Sequence, residues 1–296
     1  MKKKVLLLLG HGKCGSRWLS QVLLETQLFY HMTRMKVYAK GLKPEEINIS
    51  LLEKMNKSGK NLFFMDLLIM EDERAIKKLV KLLSDYEIIP IVIYRDLIEV
   101  LTSYYYYNRN SKNYGDIFLD NKDFIVKDYK ASFEKSFLPG GLLYKIYKIL
   151  YDYPKNAKVL RKYFKTYIEL DYYDIKNNRY NTLKKILSII GINKAIKFDK
   201  LNTIINKTYI PRSILAEKII WKIVKILVGL ESTTLNNKYR SNALEPSLLN
   251  FALKINEKKS IQKLSKSQID KLKKIYKEDV EQLRKITGLK LKSWVY

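Results

Sequence analysis

Apolar runs alternate with amphipathic stretches along this chain, and the alternation predicts strands and helices in turn. Val5–Leu9 is an uninterrupted apolar run, the pattern of a short strand covered on both faces. Gly10, Gly12 and Gly15 punctuate the loop that follows. A helix comes next, with Leu19, Val22 and Leu23 on its inner side and Ser16 as its predicted cap. Leu62–Ile69 reads as a second strand. Glu71–Ser84 reads as a helix with Ala75, Ile76, Leu79, Val80 and Leu83 on one face. Ile88–Tyr94 is a third strand, expected to begin in effect after Pro90, because proline lacks the amide that a central strand uses.

Further on, Pro139–Gly141 breaks the chain before a helix around Leu142–Tyr151. Tyr167–Leu170 is a fourth strand. The next helix carries Leu183, Ile186, Leu187 and Ile190 on one face and stops at Gly191. Leu264–Tyr296 predicts a helix pair capped by Ser265 or Ser267, striped by Leu272, Ile275, Tyr276 and Val280, and closing on Gly288 and Trp294. Residues 26–60 are mixed, with a helical stretch near Pro44–Met55. Asn108–Asp123 is polar, a loop or lid on the substrate side. Ile219–Leu230 is an apolar helix with solvated lysines.

Strand, helix, strand at this spacing predicts an α/β fold. The expected form is a three-layer sandwich around a central parallel sheet, with a helical C-terminal part. No repeat or long linker divides the 296 residues, so one domain over 1–296 is expected. Ligands in such folds bind beyond the carboxyl ends of the strands. That edge would carry the loop Gly10–Gly15, Asp66 and Arg95. A strand, a glycine-rich loop and a helix N-terminus together make an anion site, because backbone N–H groups and the helix dipole point at one spot.

Asp66 is an acid inside an apolar run. Buried acids need a partner or a task, although an acid at a strand end can also cap the next turn. Arg95 opens RDLIEVLTSYYYY, with Ser103 eight positions on. A guanidinium at a helix start and a hydroxyl about two turns later can share one phosphate. A surface ion pair is the plainer reading of Arg95 alone. His31 is structural or a reserve proton acceptor. Tyr104–Tyr107 would pack in the core or stack on a base, and packing is the better reading.

Charge changes the picture only in part. With 57 Lys and Arg against 30 Asp and Glu, the net charge is +27. Such a surface attracts polyanions, including acidic membranes, while lysines scattered over solvated faces give the same total. No nucleic-acid reader is recognisable. The single cysteine, Cys14, excludes a disulfide framework and points to a reducing compartment. Lys2–Leu9 imitates a signal peptide, but its apolar run is too short. A cytoplasmic location is expected, with peripheral membrane association left open.

The loop has its own signature. Gly10 and Gly15 are spaced as in a nucleotide-kinase loop, but Ser16 stands where the lysine should be, and Lys13 lies inside the loop. KCGSRWL after a strand resembles the 5′-phosphosulfate loop of sulfotransferases that use 3′-phosphoadenosine 5′-phosphosulfate (PAPS). Lys13, Gly15, Ser16 and Trp18 match, and Arg17 stands where a second Ser or Thr is common. Arg95 and Ser103 match that family's 3′-phosphate motif and follow Lys13 in the family's order. Leu97 and Val100 replace its usual Pro and Arg. Asn206, Thr208, Pro211, Arg212 and Ser213 resemble a further family segment.

The resemblance implies a P-loop nucleoside-kinase-like fold and sulfuryl transfer from PAPS to an acceptor hydroxyl, with a glycan as the expected acceptor and no metal. It makes Lys13 the residue on the leaving-group side. The loop Lys13, Cys14, Gly15, Ser16, Arg17 and Trp18 would hold the 5′-phosphosulfate. Arg95, Ser103 and Arg212 would hold the 3′-phosphate. Asp66 stands where carbohydrate-type members place a glutamate base, with His11 or His31 as substitutes. Two other readings stay open: a P-loop nucleotide kinase or NTPase, and a non-catalytic basic protein that binds polyanions or membranes.

Overall fold

In the computed structural model, the described residues are 3–31, 57, 61–66, 73–110, 136–193, 201, 202, 212, 213, 215, 216, 219, 220, 255, 256, 264–294 and 296. The expected helix near Pro44–Met55 and most of the segments at Asn206–Leu215 and Ile219–Leu230 lie outside them, as do residues 111–123.

The core is a five-stranded parallel sheet in the order β2-β3-β1-β4-β5. β1 is Lys4–Leu9, β2 Phe29–His31, β3 Asn61–Asp66, β4 Glu87–Tyr94 and β5 Ile168–Asp171. The α/β, parallel-sheet expectation therefore holds. β1 sits at the centre, and every residue from Val5 to Leu9 is buried, as a run without alternation requires. The chain leaves β1 for β2 and β3 on one side, then crosses to β4 and β5 on the other. Ligands of such sheets bind at the carboxyl edge where that direction reverses.

Two strands differ from expectation. β2, a three-residue edge strand, is too short to stand out in the sequence. β4 runs straight through Pro90, which lies opposite Leu7 of β1. The Glu87 N–H donates to Lys3 O at 2.9 Å, so odd positions of β4 face β1 and even positions face β5. Pairing with β5 begins only at Ile91 opposite Ile168. Pro90 thus occupies a position whose missing N–H faces no strand, and the sheet loses nothing there.

The helices are α1 (Ser16–Glu25), α2 (Glu73–Leu82), α3 (Leu97–Asn110), α4 (Leu142–Leu150), α5 (Tyr153–Tyr163), α6 (Tyr172–Asn177), α7 (Arg179–Ile189) and α8 (Lys266–Thr287). α3 absorbs Asn108–Asn110, which the sequence assigns to a polar loop. α7 stops as expected. Gly191 has φ 82°, the Gly191 N–H reaches Ser188 O, and the Ile192 N–H reaches Leu187 O, a Schellman closure.

α8 is one continuous helix of 22 residues, not a pair. Ser265 and Gln268 form a reciprocal capping box, and Gly288 ends the helix at φ 70°. Leu272, Tyr276, Val280 and Leu283 are its buried stripe, and it packs on α5 and α3. α5 is fastened to the sheet as well. Arg161 reaches both oxygens of Glu169 on β5, at 3.0 and 2.7 Å, and the Tyr94 hydroxyl on β4 donates to the same carboxylate at 2.8 Å. Removing Arg161 would strand the Glu169 carboxylate, whose side chain is only 7% exposed, at a cost of about 3–5 kcal/mol. No helix among the described residues is long and apolar enough to cross a membrane.

Candidate functional site

β1 delivers the chain into the loop 10–15, and α1 carries it away. Lys13 and Gly15 both take positive φ, 65° and 86°. Such a backbone suits glycine, but for lysine it costs of order 1 kcal/mol or more and must be held by its surroundings. Two donors do so. The Arg95 Nη1–H group donates to Lys13 O at 2.7 Å, and the Tyr151 hydroxyl donates to Gly12 O at 3.0 Å. At Gly15 space is also short, since a Cβ would lie 3.2 Å from Cε2 of Tyr172.

The cap of α1 differs from the sequence reading. Gly15, not Ser16, is the N-cap, and no side chain caps the helix. Ser16 is the first helical residue and its side chain is buried. The helix therefore presents its first backbone N–H groups beside the loop without a side-chain oxygen competing for them.

The electrostatics are those of an anion cradle. Lys13 is half-buried, and its pKa is lowered to about 8, first by burial and then by the nearby charges of Arg17 and Arg95. Three cations lie close together here, and their summed charge favours an anion beside them. Arg95 follows β4, with Asp96 between it and the start of α3. Asp96 Oδ1 accepts the Glu99 N–H at 3.0 Å, capping that helix without the family's proline. The guanidinium also meets the Glu99 carboxylate at 3.2 Å and lies 4.5 Å above the Tyr172 ring. Ser103 is half-buried, two turns further along α3.

Other loop residues turn inward. Cys14 is fully buried, its sulfur 3.7 Å from the Tyr153 hydroxyl. Burial pushes its thiol up to about 12, so it is not a reactive thiolate. Trp18 donates from Nε1 to Leu201 O at 3.0 Å, and the Arg179 guanidinium lies 5.6 Å from its ring.

Asp66 is the last residue of β3 and pairs with Leu9, the last of β1. The candidate base position therefore stands beside the start of the loop. His31 ends β2 opposite Phe63, further from that edge. His11 is buried and fully used. Its Nδ1–H donates to Ile93 O at 3.3 Å, and Nε2 accepts from Asn156 Nδ2 at 2.9 Å. Burial lowers its pKa to about 4. A ring so engaged is a structural element, not a proton acceptor for a substrate. Arg212 is exposed, with its N–H donating to Asn256 O at 2.6 Å. Its role at the site rests on the family resemblance alone.

The sequence reading passes over Tyr172 and the tyrosines at the α4–α5 junction. Tyr172 was detectable in principle, as an aromatic directly after a strand's carboxyl end. Tyr151 and Tyr153 were not, because their partners lie far off in the chain.

The family model for the sulfotransferase domain matches residues 3–212, more than half of the chain, and the chain belongs to that family. It is an enzyme of sulfuryl transfer. Among solved structures, a mouse sulfotransferase complexed with PAP is similar over 100% of this chain and 90% of its own, at 15% identity and a TM-score of 0.53. At that identity the likeness is one of fold. A sulfotransferase from Alicyclobacillus acidocaldarius matches over 80% of this chain and 100% of its own, with 11% identity and a TM-score of 0.48. The sulfotransferase domain of the curacin biosynthetic pathway matches over 94% and 98%, with 10% identity and a TM-score of 0.43. No curated protein matches the chain.

Proposed function

We propose that this chain transfers a sulfuryl group from PAPS to an acceptor hydroxyl, with a carbohydrate as the acceptor. The observation that carries the reading is the Arg95–Lys13 hydrogen bond, which ties the two phosphate motifs together across 82 residues. The donor set suits a nucleotide carrying anions at both ends. Lys13, Arg17 and the start of α1 form one cationic corner, and Arg95 with Ser103 forms the next. The donor supplies an activated sulfuryl group whose transfer leaves a charged phosphate behind.

Transfer of this kind asks a protein mainly for alignment and charge stabilisation. Backbone N–H groups from Gly15 to Trp18 and the Ser16 hydroxyl hold the 5′ end, with Cys14 contributing only its backbone. Lys13 offsets charge on the leaving phosphate. Arg95, Ser103 and Arg212 hold the 3′-phosphate. Asp66 accepts the proton of the acceptor hydroxyl. This assignment predicts that Asp66→Asn folds and binds nucleotide while kcat falls about 10²- to 10⁴-fold. Near-normal turnover in that variant would remove Asp66 from the mechanism.

Calorimetric binding of 3′-phosphoadenosine 5′-phosphate (PAP), AMP and ATP–Mg²⁺ tests the donor. PAP should bind best, and Arg95→Ala should weaken it by about 1.5–3 kcal/mol, roughly 10- to 150-fold in Kd, and weaken AMP less. A preference for ATP–Mg²⁺ would favour a P-loop kinase instead. Absence of nucleotide binding would leave a basic scaffold with a different task.

A further inference from the structure

Anion cradles face a problem that their N–H groups do not solve. Every peptide that offers an N–H also carries a carbonyl, and a carbonyl oxygen turned toward an anion repels it. Here the carbonyls of three cradle residues are taken by donors. Lys13 O accepts from Arg95, Gly12 O from the Tyr151 hydroxyl, and Arg95 O from the Tyr153 hydroxyl, the last two both at 3.0 Å.

The two tyrosines belong to one short junction, Tyr151-Asp152-Tyr153, between α4 and α5. Tyr151 is completely buried and Tyr153 nearly so. The junction is stiff. Asp152 accepts the Lys155 N–H at 3.2 Å as the cap of α5, and Pro154 fixes the first turn. One hydroxyl reaches the loop after β1 and the other reaches the residue after β4. His11, next to Gly12, packs its ring 5.8 Å from that of Tyr151 and 4.5 Å from that of Tyr153. Its two nitrogens bind Ile93 of β4 and Asn156 of α5. α5 therefore grips both strand ends together.

We infer that Tyr151 and Tyr153 are positioning residues that set the separation between the two anion half-sites, the loop at Gly12–Ser16 and Arg95. The inference rests on the donor proposed above, because only a ligand with anions at both ends reads that separation. Each hydroxyl fixes one half-site to the same rigid junction. Without them, the half-sites can still bind anions singly but no longer hold the matched spacing, so the benefit of binding both ends at once falls.

The test compares wild type with Tyr151→Phe, Tyr153→Phe and the double variant, each keeping its ring in the core. PAP and adenosine 5′-phosphate are titrated by calorimetry, and thermal melting is recorded alongside. The expected result is a fall of about tenfold in the ratio of the two affinities in the double variant, with cooperative melting retained. A lowered melting midpoint with an unchanged ratio would overturn the inference, since the hydroxyls would then serve the fold alone. Should the double variant fail to fold, the single variants carry the same comparison, with a smaller fall in each. Failure of all three to fold would also overturn it. A wild-type protein without preference for PAP is a separate result, and it would sink the proposed donor first.

Discussion

Lys13→Ala is expected to lower kcat by about 10²- to 10³-fold, the usual loss when one preorganised charge-stabilising donor is removed. The fold should survive, since the bonds to the backbone carbonyls of Gly12 and Lys13 are left in place by the substitution. pH provides the sharper signature. Burial and the charges of Arg17 and Arg95 bring the Lys13 pKa to about 8, so the ammonium is present below that pH and lost above it. kcat/KM, which reports the free enzyme, should therefore fall as pH rises through about 8. Bound donor adds negative charge beside Lys13, and the corresponding limb in kcat should lie higher. Lys13→Arg keeps its charge throughout, so that variant should be slow but should lose the alkaline limb. A limb unchanged in Lys13→Arg would assign it to another group.

The second large effect belongs to His11. Its pKa is lowered from 6.5 to about 4 because the ring is buried. The unfolded chain binds a proton in that interval and the folded chain does not, so stability rises with pH there. His11 should contribute its full share above pH 6.5 and lose it progressively as pH falls toward 4. The loss is on the order of 3 kcal/mol across the window, from the size of the shift. Denaturant melts at pH 7 and pH 4.5 measure it. A His11→Gln variant, which has no proton to take up, should show a flatter dependence over the same range. Equal slopes in both proteins would place the acid sensitivity elsewhere. Because His11 touches Ile93, Asn156, Tyr151 and Tyr153, PAP affinity should weaken over the same pH range.

The parts of the fold that could be read in advance are those with local causes. β1 and β4 are apolar runs without alternation, and α2 and α7 carry unbroken inner faces, so each announces itself. The joining of Lys13 to Arg95 was readable as two motifs in the right order, although not as a bond. What escaped has non-local causes. Pro90 is harmless only because β5 starts one residue later, which no window around Pro90 reveals. Ser16 has the chemistry of a cap, yet the left-handed turn at Gly15 places the cap one residue earlier. The sequence reads 264–296 as a helix pair, and α5, against which the single helix α8 packs, lies more than a hundred residues away. Tyr151 and Tyr153 carry no local signal, and their hydroxyls acquire a purpose only when β1 and β4 are brought alongside.

Residues 291–294 fold back onto this same region. Arg284 holds Trp294 O at 2.6 Å, the Trp294 Nε1–H donates to Asp171 at 3.3 Å, and the Trp294 ring packs near that of Tyr153. Asp171 in turn caps α6, whose first residue, Tyr172, lies under Arg95. The consequence is one of order in time. Contacts spanning 82, 123 and 139 residues meet at one edge of the sheet, and such closures are slow. On a ribosome the glycine loop emerges first, but its supports arrive with Tyr151, Asp171 and, last, Trp294. The cradle for the donor is therefore completed late, only once Trp294 has reached Asp171 and Tyr153.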